Sequence, residues 1–288
     1  MPWGFIIFFL MDASNKFETL KNNLRGYEKV LVSFSGGVDS SFVLWAASQV
    51  LPKENVFAVT AVSASLAPEE LKEAKELAQS FGFGNNHWLI ETQELEIEGY
   101  RVNQPSRCFF CKDELYSKLS ELAEEHSIPH ILDGFNASDV GDFRPGRKAG
   151  EKWRIKSPLL EAGLTKPEIR EIARAHNLGF WNKPQMACLS SRIPYGQEVT
   201  VEKLSQVARA EQVLHQLGFR QVRVRHHEKI ARIEVEPEEW SRFSDFELRA
   251  QIQNELRELG FLYVTLDLVG YRTGSLNEVL KKGASNGG

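Results

Sequence analysis

Cysteine is scarce in this sequence: three residues in 288, an odd number spread along the chain. Small secreted domains carry dense, even cysteine frameworks, so this set excludes that class and points to a reducing cytosol without a structural disulfide. Surplus positive charge is also missing. Lys and Arg total 35 against 39 Asp and Glu, a net charge of −4, which gives no basis for a nucleic-acid or anionic-membrane surface. Long apolar runs are absent as well. The opening MPWGFIIFFL is the one stretch of that kind, and it is too short to span a bilayer and has no Lys or Arg before it. A polar, helix-starting segment follows from Met11, so residues 1–10 read as an extension upstream of the working start. No internal repeat or low-complexity segment is present apart from the Gly/Ser-rich end ASNGG, which is expected to fray. What remains, 42% hydrophobic and 26% charged residues, suffices for a core, and 288 residues favour two domains over one.

From Tyr27 onward β-branched runs alternate with helical patterns. KVLVSF, NVFAVTAV, NHWLIE and PHILDG read as strands, and the segments from Ser40, Pro68 and Cys108 as helices between them. The segment PEELKEAKELAQSFG opens on Pro and closes at Gly82, punctuation for a helix at both ends. Such alternation predicts an α/β fold, a parallel sheet with helices on both faces, whose ligands bind beyond the carboxyl ends of the strands. A long polar loop, NASDVGDFRPGRKAGEKWR, comes next, then a helix in TKPEIREIARAHNLGF. The irregular WNKPQMACLSSRIPYG holds two prolines and is read as the boundary between domains 11–187 and 188–288. The second domain reads as helix, two alternating strands (QVRVRHH, KIARIEV), a charged helix and a strand (YVTLDLVGY), a smaller α+β unit.

The first strand runs directly into SFSGGVDSSFVLWAAS. Gly36 and Gly37 let the backbone approach an anion, Ser35, Ser40 and Ser41 add hydroxyl donors, and the following helix presents its positive end. These residues make a phosphate cradle. The Lys-Ser/Thr ending of a Walker loop is absent, which speaks against a kinase or GTPase. Two cysteines stand three apart in QPSRCFFCKDELY. Spacing alone leaves Cys108 and Cys111 open to a redox pair, half of a zinc site, part of an iron-sulfur site or plain apolar packing. A zinc site would need a fourth ligand beside Cys188, and His226 or His227 are the candidates, although strand alternation points them to opposite faces.

SGGVDS resembles the pyrophosphate loop of ATP pyrophosphatases, enzymes that split ATP into AMP and pyrophosphate. With LDGFNASDVGDFRPG, NKPQMACLSSRIPYG, VRVRHHEKIARIE and VTLDLVGYRTGS, from about Leu20 to Leu280, the chain resembles the LarE family. That resemblance implies an adenine nucleotide alpha hydrolase-like fold, with 11–187 as the pyrophosphate-loop ATP-binding domain and 188–288 as a substrate and oligomerisation domain. It implies ATP and Mg2+ as cofactors, Asp39 organising the magnesium-bound phosphates. The activity implied is an ATP-dependent sulfurtransferase: a carboxylate of a pyridinium dicarboxylate mononucleotide is adenylated, sulfur displaces AMP, and the cycle repeats at the second carboxylate for nickel-pincer cofactor synthesis. Ser191, Arg192, Arg223 and Arg225 are the candidate grip on that small-molecule nucleotide, Arg by its forked geometry. Arg144 is a candidate for an ATP phosphate; Asp139 and Asp142 bind magnesium, face the nucleotide or only make turns.

One kind of LarE protein gives up the sulfur of a single cysteine near the SSR segment; another holds a 4Fe-4S cluster on three. Here Ala187 stands where the sacrificial cysteine aligns, with Cys188 beside it, and the count of three favours the cluster. On this reading Cys108, Cys111 and Cys188 are its ligands and the catalytic residues alongside Asp39, and the fourth iron is open to hydrosulfide. The resemblance further implies a sulfide donor, a homo-oligomer, no nucleic acid and no membrane partner. Two alternatives share the motifs: a tRNA thiolase, which would need a basic RNA surface, and a non-catalytic ATP-binding iron-sulfur regulator.

Overall fold

A computed structural model describes residues 3–141, 144–272, 274–278 and 280. The chain clusters into two compact units, one formed by residues 1–63, 68–94 and 108–186, the other by 64–67, 95–107 and 187–288.

The first unit is built from helix α1 (Trp3–Arg25), strand β1 (Val30–Ser33), helix α2 (Val38–Ser48), strand β2 (Val56–Val62), helix α3 (Pro68–Ser80) and strand β3 (His87–Glu91). After the short helix α4 (Glu98–Arg101), which belongs to the second unit, it continues with α5 (Arg107–Glu125), β4 (His130–Leu132), α6 (Gly146–Lys152), α7 (Pro158–Glu161) and α8 (Lys166–Ala175). Its four strands pair in the order β3-β2-β1-β4, all parallel. Alternation along β1 sorts the two faces: Val30 and Val32 join a core with Phe17, Leu20 and Leu24 of α1, Phe42 and Ala46 of α2 and Ile169 of α8. Leu31 and Val59 join a separate core with Leu115 and Leu119 of α5 and Ala149 of α6. Helices therefore cover both faces of the sheet, as the strand-helix alternation predicts. Helix α2 is buried at nearly every position from Val38 to Ala47, which makes it the central helix and fixes its first turn tightly.

The second unit holds α9 (Val201–Gln216), β5 (Val222–His227), β6 (Ile230–Val235), α10 (Phe246–Glu258) and β7 (Tyr263–Leu266). Strands β5 and β6 are antiparallel, β6 and β7 parallel, a small mixed sheet packed on α9 and α10 through Leu214, Val224, Ile233 and Ile252. The α/β class and its smaller companion sheet are as the sequence implies.

Several local readings need correction. The helix expected from Met11 runs from Trp3. The polar loop after Gly134 is not wholly irregular: Asn136 caps a 3-10 turn at Ala137–Asp139, with Asp139 completing the capping box, and α6 follows. Asn-x-x-Asp is a legible cap signal that loop composition obscured. The last strand stops at Leu266 because the Asp267 carboxylate accepts the Val269 and Gly270 amides and turns the chain. Asp142 and the ASNGG end lie outside the described residues. No helix among the described residues is long and apolar enough to cross a membrane.

Candidate active site

The SGGVDS loop occupies the turn from the carboxyl end of β1 into α2. Gly36 has φ +72°, a left-handed conformation that favours glycine, and a Cβ there would stand 2.9 Å from the Ala74 Cβ on α3. Ser40 knits the loop together: its hydroxyl lies 3.2 Å from the Gly37 carbonyl and 3.1 Å from the Ser35 hydroxyl, and it accepts the Ser35 amide at 3.2 Å. Ser35 is exposed, whereas Ser41 is wholly buried and its hydroxyl has no hydrogen-bond partner among the described residues.

Asp39 sits in the first turn of α2. Burial pushes its carboxyl up to about 6, against the pull of Lys166, Arg170 and Arg144 and with a further push from Asp139. The same groups form a charged rim. Asp139 accepts Lys166 at 2.8 Å and pairs with Arg144 at 2.8 Å. Lys183 donates to the Gly36 carbonyl at 3.1 Å and pairs with Glu73 at 2.6 Å. Arg170 donates to the carbonyls of Trp181 and Lys183, both at 2.8 Å. At the end of β4, Gly134 lets the backbone pass against α2; a Cβ would meet the Ser40 nitrogen at 2.8 Å.

The structure sets Arg144 near Asp39 of the loop proposed from the sequence, together with Lys166 and Arg170, and Lys183 and Gly134 against the loop and the start of α2, four residues the sequence did not single out. Lys166 had a signal: a cation at the first position of a helix opposes the helix dipole and asks for a local reason. Lys183 had none, since its contact bridges 147 residues of sequence.

In the second unit Arg192, Arg223 and Arg225 do gather, each strongly buried. Arg192 makes a two-pronged pair with Glu211, 2.9 Å at each prong, and donates to the carbonyls of Ala187 and Cys188 and to the Ser191 hydroxyl. Arg225 pairs with Glu234 at 2.7 Å and donates to the Ser191 carbonyl and the Ser275 hydroxyl. Arg223 lies over the Tyr271 ring at 5.5 Å and donates to the Val222 carbonyl; burial and the neighbouring Arg192 lower its affinity for its proton, opposed by Glu211. Burial, first among the causes, lowers His226 and His227 below the ordinary histidine value, and His226 is hydrogen-bonded to Gln206.

Cys108 and Cys111 lie in the first turn and a half of α5, three apart and so on one helix face, both half-buried. Cys188 is exposed and belongs to the other unit. Among the described residues no three His, Cys, Asp or Glu side chains are grouped to hold a metal ion.

The NAD synthase family matches residues 11–107, the stretch that contains the loop, α2 and α3. A glutamine-dependent NAD(+) synthetase of Aquifex aeolicus is 42% identical over 72 residues, 23% of this chain and 13% of its own. An uncharacterized protein of Synechocystis sp. is 44% identical over 268 residues, 93% of this chain and 99% of that one. The pyridinium-3,5-bisthiocarboxylic acid mononucleotide synthase of Lactiplantibacillus plantarum is 38% identical over 274 residues, 95% of this chain and 98% of its own. With that identity sustained across both proteins, on a pyrophosphate loop that the fold places at the end of an inner strand, the chain belongs to the LarE family of ATP-using enzymes.

Proposed function

We propose that this protein is an ATP-dependent sulfur transferase that adenylates the carboxylates of a pyridinium dicarboxylate mononucleotide and replaces AMP with sulfur. The observation that carries the reading is the SGGVDS loop with Asp39 in the first turn of α2, in a chain alike from end to end to a synthase of that product. Ser35, Gly36, Gly37, Ser40 and Ser41, with Arg144, would hold the ATP phosphates. Asp39 fits a magnesium ligand: a carboxylate lifted toward protonation by burial is one that a cation would restore to its charged form.

In the first step an acceptor carboxylate oxygen attacks the α-phosphorus of ATP, and the bond to pyrophosphate breaks. In the second a sulfur nucleophile adds at the activated carbon and AMP leaves with the bonding electron pair. Lys166 and Arg144 supply positive charge beside the loop, where charge develops on the departing pyrophosphate. The acceptor's phosphate falls to Ser191, Arg192, Arg223 and Arg225, of which Arg192 and Arg225 also pair with Glu211 and Glu234.

Cys108 and Cys111 fit as a ligand pair for a 4Fe-4S cluster, with Cys188 as the third ligand in this proposal. No grouping of three ligands stands among the described residues. The test is to incubate the protein with ATP, Mg2+ and pyridinium-3,5-dicarboxylate mononucleotide and to follow AMP and pyrophosphate. Release that needs the mononucleotide and disappears in Asp39→Ala supports the reading; a requirement for RNA would replace it with a tRNA thiolase, and ATP binding without pyrophosphate with a regulator. Iron analysis after anaerobic purification, and the mass of the Cys188 peptide after turnover, separate a cluster from a sacrificial cysteine: about four irons with intact cysteines against loss of the elements of hydrogen sulfide.

A further inference from the structure

A pyrophosphate loop without a lysine of its own must be held in shape by groups from elsewhere. We propose that Lys183 is the positioning residue of this loop, acting through the Gly36 carbonyl; the inference rests on the loop being a pyrophosphate site, as proposed above. Three observations converge on it. Lys183 donates to the Gly36 carbonyl at 3.1 Å while its ammonium also pairs with Glu73 of α3 at 2.6 Å, and its side chain is 15% exposed. Glu73 is the neighbour of Ala74, against which Gly36 is pressed so closely that no Cβ would fit. Lys183 and α3 therefore clamp the Gly36 residue from its carbonyl and from its α-carbon.

The segment that carries Lys183 is itself tied down. Arg170 of α8 donates to the Trp181 and Lys183 carbonyls, and the Met186 sulfur lies 3.7 Å from where a Cβ on Gly37 would stand. Residues 181–186 thus lie along the loop, with the lysine directed at its backbone.

The consequence follows from peptide geometry. A peptide unit is planar and trans, so the Gly36 carbonyl and the Gly37 amide point in opposite directions. A cation holding the carbonyl fixes the amide on the far side and, by polarising the peptide, strengthens it as a donor. Within the loop that amide meets only the Ser35 hydroxyl at a long 3.3 Å, a contact an anion would readily replace.

The test measures binding of inorganic pyrophosphate and, separately, of AMP by calorimetry to the full-length protein in three forms. Lys183→Met should weaken pyrophosphate binding about ten- to hundredfold, the usual worth of a hydrogen bond involving a charged group, and leave AMP binding unchanged. Lys183→Arg, which keeps a cationic donor, should stay within about threefold of the unmodified protein. Undiminished pyrophosphate binding by the Met variant overturns the inference, and so does an equal loss of pyrophosphate and AMP binding in both variants, which would assign Lys183 to the fold. If the unmodified protein takes up no pyrophosphate at all, the proposed function itself fails and the inference falls with it.

Discussion

Single residues carry much of the site, and glycines show it most clearly. Gly134 at the end of β4 lies against the start of α2, where a Cβ would meet the Ser40 nitrogen at 2.8 Å and the Asp39 Cβ at 3.1 Å. These neighbours are backbone and the root of a side chain in a fully packed helix, so they cannot step aside. Gly134→Ala is therefore expected to cost about 1–3 kcal/mol, the usual range for overpacking, and to suppress pyrophosphate release by displacing Asp39. Gly179, with nothing within 4 Å of its added Cβ, is the control, and Gly179→Ala should stay within about 0.5 kcal/mol. Thermal denaturation and a pyrophosphate assay on both variants check this. The Gly-Gly pair of the loop was legible in the sequence because the motif is contiguous. Gly134 was not, since its need for glycine comes from a helix almost a hundred residues earlier in the chain.

At the scale of elements, α8 ties the amino-terminal helix to the rest of its unit. Glu168 accepts the Thr165 amide at 2.8 Å and its hydroxyl at 2.7 Å, closing a capping box, and also accepts Lys16 of α1 at 2.7 Å. Burial raises its carboxyl, but Lys16 and Thr165 more than offset this and hold it below the usual range. Glu168→Ala removes the N3 half of the capping box, leaving Thr165 as the N-cap, and leaves the Lys16 ammonium paired with Asp12. We expect a loss of roughly 1–2 kcal/mol, from capping bonds worth about 1 kcal/mol and a partly exposed ion pair worth up to about 1 kcal/mol. Glu168→Gln, which can still accept from Thr165, should lose less. Urea denaturation of the two variants distinguishes them; equal losses would place the whole effect in the ion pair. The cap was readable in TKPE, where Thr, Pro and Glu hold their preferred places. The partnership with Lys16 was not, being 152 residues distant.

For the whole molecule, titrating groups in both units set the response to acid. Glu168 in the first unit and Glu211 and Asp267 in the second all lie below their ordinary values: burial raises each, and the facing cations, Lys16, Arg192 and Arg232 respectively, outweigh it with help from hydrogen bonds. A carboxylate depressed on folding contributes stability that is present above its unfolded value, near 4.5 for glutamate, and is lost as pH falls through the folded value. His226 and His227 are also depressed, below 6.5, first by burial. Their unfolded forms take up protons before the folded forms do, so they too withdraw stability on acidification. Asp39, lifted to about 6 by burial, works the other way: its folded form takes up a proton first and offsets the histidines, so the denaturation midpoint is expected to fall chiefly below about pH 4.5, where the paired carboxylates are protonated. Measured at constant ionic strength, a flat profile over that range would contradict the pairing described for Glu211.

What the sequence by itself determined was whatever is written in neighbouring residues: the strand-helix alternation, the helix punctuation of α3 and α8, and the SGGVDS loop between β1 and α2. Each depends on backbone geometry and hydrogen bonds within a few residues, so a short window contains its cause. Tertiary structure decided which charges face which. It set Lys166, Arg170 and Lys183 around the loop, and it bound Arg192 and Arg225 to Glu211 and Glu234, where sequence reading saw arginines available to a phosphate. It also drew residues 64–67 and 95–107 into the second unit. The reason is physical: an ion pair is made by groups that the fold brings within about 4 Å, and which distant segments meet is fixed by packing of the whole sheet and its helices, not by the residues beside each charge.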